Sequence, residues 1–135
     1  MNTVKDVRWK QRFQNFERAF TLLEKAIHIT DPSEVERAGL IQFFEMSFEL
    51  AWKMLKDYLE TEGFTVRSPR DVLKQAFQAG FVGDGHTWID ALQDRNLTTH
   101  TYDEATAITV ERQIRESYYP LLAQLYQDFR HRIDQ

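Results

Sequence analysis

Residues 40–59 read LIQFFEMSFELAWKMLKDYL, and the spacing of their apolar side chains decides the fold class. Leu40, Phe44, Phe48, Ala51, Trp52, Leu55 and Leu59 recur mostly at intervals of three and four residues, which places them on one side of a helix. No alternation of period two, the mark of a half-buried strand, competes with that reading. A stripe so rich in phenylalanine could line a cofactor, but bundle interiors require aromatics at this spacing, so the stripe is read as core. The helix is expected to run for about 30 residues and to stop at Gly63, after Glu62.

Upstream, Phe13, Phe16, Phe20, Leu23 and Ile27 are spaced by 3, 4, 3 and 4 residues and form the stripe of a first helix. It ends near Ile29 and Thr30. Asp31-Pro32-Ser33-Glu34 then reads as an N-cap, a proline at the first helical position and an acid at the third. Downstream, Ser68-Pro69-Arg70-Asp71 repeats that logic and opens a short helix with Val72, Leu73, Ala76 and Phe77, ending at Gly80. Gly83-Asp84-Gly85 is a turn before a helix with Trp88, Ile89 and Leu92. A last helix over residues 103–131 carries Ile108, Ile114, Leu121, Leu122, Leu125 and Phe129, and Pro120 should bend or break it. The expectation is an all-α, antiparallel up-and-down helical bundle of four main helices plus a short one, in a single domain over residues 1–135.

The bulk composition agrees and narrows the function. With 42% hydrophobic and 13% aromatic residues, 135 residues suffice for one core. There is no cysteine, which sets aside disulfides and thiolate metal sites and suits a reducing cytoplasm. No apolar run approaches the roughly 20 residues that span a bilayer. The N-terminal stretch carries Lys5, Asp6, Arg8 and Lys10 in place of a signal-peptide core, so a cytoplasmic protein with no membrane association is expected. The formal net charge of −4 argues against broad coating of nucleic acid, and any RNA contact should be local.

One stretch clusters reactive groups. Residues 94–104 bring together Arg95, Asn96, His100 and Tyr102 without an apolar repeat. Thr98 and Thr99 are poor in helix interiors, and Thr101-Tyr102-Asp103-Glu104 reads as a capping box, so a junction between two helices is expected here. The start of the following helix would then offer free N–H groups and a positive dipole end to a phosphate. In one straight helix, Arg95 and His100 would lie about 140° apart, so the site needs the bend. With it, His100 can move a proton near neutral pH, while Arg95 and Asn96 stabilise charge on phosphorus during attack by a ribose 2′-hydroxyl. A blander reading pairs Arg95 with Asp94 or Asp103 as a helix-end contact.

Other candidates carry less. His28, His86 and His131 lack partners at metal-ligand spacing and read as surface or capping residues, so no metal is expected. Tyr118 and Tyr119, beside Pro120, are expected in the core or a dimer seam. Arg67, Arg70 and Lys74 form a modest basic run that could hold an RNA backbone, or simply be a solvated face. Gly80, Gly83 and Gly85 match no phosphate-binding loop, and no cofactor is expected.

Arg-x4-His alone is weak, since chance gives about 0.3 occurrences in a chain with 11 arginines and 4 histidines. The longer pattern Arg95-Asn96-x3-His100-x-Tyr102 resembles the Arg-x4-His-x-Tyr motif of HEPN toxins, and Trp88 to Glu104 is similar to the HepT-like branch known as nucleotidyltransferase substrate-binding proteins. The resemblance spans nearly the whole chain, including Phe44 to Leu59 with Trp52, Ser68-Pro69-Arg70, and Tyr118-Tyr119-Pro120-Leu121. It implies a homodimer in which two Arg-His pairs face a shared cleft and cleave RNA without metal, as the toxin of a toxin-antitoxin pair. It further implies an antitoxin partner, a minimal nucleotidyltransferase that transfers AMP onto Tyr102, with Arg95 and His100 catalytic and Asn96 a helper. The alternative is a non-enzymatic adaptor that presents substrate to such a nucleotidyltransferase.

Overall fold

The computed structural model describes residues 3–97 and 103–135, and of Thr3, Asn96 and Leu97 the backbone alone. Helix α1 (Thr3–Ile27) sends Trp9, Phe13, Phe16, Phe20 and Leu23 into the core, and α2 (Glu34–Thr61) answers with Leu40, Phe44, Phe48, Ala51, Leu55 and Leu59. Trp52 is only half-buried, and Met54 takes a fully buried place beside the expected stripe. The cap of α2 differs from expectation. Ser33, not Asp31, is the N-cap: its Oγ accepts from the Glu36 backbone N–H (3.1 Å), and Glu36 accepts from the Ser33 N–H (2.8 Å). Asp31 instead adopts a left-handed turn conformation, φ 49°, which aspartate tolerates better than most residues.

Helix α3 (Pro69–Gln78) follows its sequence signals closely. Ser68 accepts from the Asp71 N–H (3.1 Å), Pro69 opens the first turn, and Gly80 reverses the chain at φ 82°. Phe77, expected inside, is 51% exposed. Helix α4 (Gly85–Leu97) buries Trp88, Ala91 and Leu92. The last rod comprises α5 (Glu104–Gln113), a π turn (Ile114–Tyr118) and α6 (Tyr119–Ile133). Pro120 does not break this rod: it stands in the first turn of α6, and just before it the Tyr119 N–H reaches back to the Ile114 carbonyl across the wider turn. A proline ring crowds the carbonyl four residues earlier, and a π turn just ahead of it relieves that clash. Ile114, Leu122, Leu125 and Phe129 are buried as expected, whereas Ile108 is 40% exposed.

Contacts between helices fix their directions. Trp9 packs edge-on against Tyr58, and Arg12 pairs with Asp57 (3.0 Å), so α1 and α2 are antiparallel. Phe44 stacks on Tyr118 while Tyr58 meets Phe129, so the last rod runs with α2 and against α1. Tyr126 and Tyr119 confirm the second relation through Glu17 (2.7 Å) and Glu24 (3.0 Å). The result is an all-α, up-and-down bundle with the short α3 between α2 and α4. Among the described residues there is no strand, and no helix is long and apolar enough to cross a membrane.

Candidate functional site

Arg95 stands in the last turn of α4, with its side chain partly open to solvent. Its guanidinium donates to the Glu49 carboxylate on α2 and lies 5.9 Å from the centre of the Phe48 ring. Among the described residues the carboxylate it is seen to pair with is that of Glu49, where the sequence offered Asp94 or Asp103. Glu49 also holds Lys53 at 3.3 Å, so it balances two cations and draws α4 onto α2. Neighbouring helical residues point about 100° apart, and Asp94 turns the other way, where its carboxylate accepts the Tyr118 hydroxyl. Burial raises the Tyr118 phenol far above its ordinary pKa, with Asp94 adding to the shift, so the hydroxyl stays a neutral donor. Tyr118 thus lies in the core as expected, stacked on Phe44 at 5.5 Å.

Asn96 belongs to α4 by its backbone, and its side chain lies outside the described residues, as do His100 and Tyr102 in full. On the far side of that segment Asp103 is extended, φ −93° and ψ 127°, so α4 and α5 are separate helices, as the expected junction requires. The cap differs from expectation in residue and in charge. Asp103, not Thr101, is the N-cap: Oδ1 accepts from the Ala105 N–H (3.3 Å) and Oδ2 from the Thr106 hydroxyl (3.0 Å). Glu104 adds a second carboxylate and pairs with Arg37. Two acids already complement this helix end, so it is not the open anion site that free N–H groups suggested.

Arg37 ties the start of α5 to the rest of the molecule. It donates to Glu104 and, at 2.7 Å, to Glu111, which in turn accepts from Arg115 (2.7 Å). Arg115 also donates to the Ile27 and Ile29 carbonyls at the end of α1 (2.5 and 3.0 Å). Sequence reasoning missed Glu49 and Arg37, because each acts on a residue more than 40 positions away and no local pattern marks such a pair. The three described histidines are peripheral: His28 bonds the Glu24 carbonyl (2.8 Å), His86 stands 3.5 Å from Asp90 at the surface, and His131 is exposed. Among the described residues no three metal-ligating side chains gather.

Comparison with known proteins gives this geometry a setting. A family model described as "nucleotidyltransferase substrate binding protein like" matches residues 11–131. A protein of Haemophilus influenzae named "Probable ribonuclease HepT" is 38% identical over 82 residues, 57% of this chain and 56% of its own. The match thus spans just over half of that relative. A crystal structure from Thermus thermophilus superposes with a TM-score of 0.75 at 35% identity, covering 89% of this chain and 99% of its own. A Haemophilus influenzae structure, described as the fold of a substrate binding domain of a nucleotidyltransferase, also reaches 0.75, at 30% identity, covering 87% and 98%.

Proposed function

The chain belongs to the family of nucleotidyltransferase substrate binding protein like chains, and from that premise we propose that it is a metal-independent endoribonuclease, the toxin of a toxin-antitoxin pair. What carries the reading is Arg95, held at the end of α4 directly before the segment with His100 and Tyr102, in a chain similar to a probable ribonuclease. In the reaction, a ribose 2′-oxygen bonds to the adjacent phosphorus as its 5′-oxygen leaves. A histidine takes the 2′-hydroxyl proton and a proton is returned to the 5′-oxygen, giving a 2′,3′-cyclic phosphate and a 5′-hydroxyl. Arg95, with Asn96, stabilises the charge that builds on the phosphoryl oxygens. A homodimer sets two such motifs across one cleft and supplies a second histidine.

Control is exerted at Tyr102. A minimal nucleotidyltransferase partner lets the Tyr102 oxygen attack the α-phosphorus of ATP, so that AMP is attached and pyrophosphate leaves. The added negative charge next to His100 repels RNA phosphates and fills the cleft. Purified, unmodified protein should cleave RNA in EDTA, and His100→Ala should abolish cleavage while leaving the melting temperature unchanged. Folded, unmodified protein that leaves every RNA intact would refute the enzyme. The adaptor reading has its own support in the relative described as a substrate binding domain and in the net charge of −4. It expects a stable complex with the nucleotidyltransferase and no growth arrest when the chain is expressed alone.

A further inference from the structure

One face of α3 presents an aromatic ring among cations. Arg70, Lys74 and Phe77 are all exposed and follow at intervals of four and three residues, so they share one stripe of the helix, with Arg67 just ahead of it. Among the described residues none of the three cations is in an ion pair. The one acid on α3, Asp71, leaves this stretch positive in a chain whose net charge is −4.

Phe77 is not a loose surface side chain. A Cβ at position 85 would fall 2.9 Å from its Cγ and 3.3 Å from its Cβ, so the side chain lies directly on the Gly85 backbone. Glycine there lets it seat, and half of the residue remains open to solvent. The ring borders a groove of about 610 Å³ shared with Leu73, Lys74, Gln78, His86 and Ile89. From α4 the groove is bordered by the His86 imidazole, which stands 3.5 Å from the carboxylate of Asp90, a residue outside the groove's lining. An immobilised ring with one side exposed is a stacking platform, and unpaired cations one and two turns away are phosphate contacts. Together they are the two components of sequence-tolerant single-strand recognition.

We propose that this face is a subsite for single-stranded RNA, with a base stacked on Phe77 and the flanking phosphates held by Lys74 and Arg70. The identity of the ligand as RNA rests on the ribonuclease reading above. α4 runs from His86, at the groove, to Arg95, nine residues, about 13 Å along the axis and half a turn around it. A strand seated on Phe77 therefore has to cross over α4 to reach the motif, and the subsite holds nucleotides several positions from the one that is cut. An acidic protein gains a local hold on its polyanionic substrate.

The test uses a 2′-O-methyl oligoadenylate, which cannot be cleaved, and fluorescence polarisation with the unmodified full chain in EDTA. The wild type should bind, and both Phe77→Ala and Phe77→Leu should weaken binding about ten-fold. Arg70→Gln with Lys74→Gln should weaken it several-fold and flatten its salt dependence by about two phosphates' worth. The Arg70→Gln, Lys74→Gln variant should melt with the wild type, since both side chains are exposed, and the Phe77 variants, which lose packing on Gly85, are compared at a temperature where circular dichroism shows them fully folded. Equal binding by the wild type and Phe77→Leu, with Phe77→Ala weak, would mean an apolar contact without stacking and overturns the proposal. So would variants that bind RNA normally but lose self-association or the nucleotidyltransferase complex, which assigns the face to a protein. Cleavage of ordinary RNA by the same preparations separates the two readings. Cleavage with unchanged binding in all variants removes the subsite and keeps the ribonuclease. Weakened binding without any wild-type cleavage keeps the subsite and removes the ribonuclease, and no binding by the wild type removes the subsite.

Discussion

Tyr118 shows how much one hydroxyl contributes where helices cross. It is nearly buried, stacked on Phe44, and donates to Asp94, the residue before Arg95. Losing the hydroxyl in Tyr118→Phe leaves Asp94 without that donor and should cost about 1 kcal/mol at neutral pH. The pH dependence carries a second signature. Burial, then Asp94, holds the Tyr118 phenol far above its ordinary value near 10, and burial, then Glu24, pushes Tyr119 up to about 12. Below pH 10 both folded and unfolded chains keep these protons, and stability does not depend on them. Above it the unfolded chain releases protons that the folded chain retains, so stability falls as pH rises. Urea midpoints measured from pH 8 to 12 should therefore drop beyond pH 10, less steeply in Tyr118→Phe; an unchanged slope in the variant contradicts the assignment. At this scale the sequence singled out Arg95 through its motif and left Tyr118 between the core and a dimer seam, and burial puts Tyr118 in the core. The sequence left Glu49 unmarked, because that pair exists only once α4 lies against α2.

Among the elements, helix existence was legible and helix edges were less so. The Ser68-Pro69 start of α3 appears as read, and so do the stripes of α1 and α2 save that Ile27 and Trp52 are only partly buried while Trp9 and Met54 join the core. The start of α2 was misjudged because Asp31-Pro32 and Ser33 through Glu36 are overlapping capping signals, and only the backbone decides between them: φ of 49° takes Asp31 out of the helix. The two assignments predict different mutants. Ser33→Ala removes a reciprocal cap and should cost about 1 kcal/mol in chemical denaturation. Asp31→Gly, which relieves a left-handed residue, should be neutral or slightly stabilising. The reverse order of effects would restore Asp31 as the cap. Pro120 carries the same lesson. The sequence announces an irregularity, but whether it becomes a break, a bend or a π turn depends on keeping Leu122, Leu125 and Phe129 on the core side. Phe77 is the instructive exception, an apolar residue in a helical stripe that the adjacent Gly85 draws onto the surface.

The molecule as a whole is closed by charge at one end as well as by its core. The up-and-down topology followed from long helices and short connections, but nothing in it says how α5 is held after the junction. That task falls to Arg37, Glu111 and Arg115, which join α2, α5 and the end of α1 in one chain of bonds. Burial alone would push the Glu111 carboxyl up, but the Arg37 and Arg115 bonds outweigh it and hold the group below its ordinary value near 4.5. A depressed carboxyl contributes stability that is present above about pH 4.5 and lost as pH falls below it. Arg37→Gln should accordingly lower stability at pH 7, where it strips one partner from the Glu111 carboxylate. The gap between variant and wild type should then narrow between pH 5 and 3, as Glu111 takes up a proton in both and no longer needs the cation. Denaturation midpoints at pH 7 and 3.5 decide the matter: a difference that stays constant with pH would mean that Arg37 acts by packing alone, and that α5 is held against α2 by something other than this network.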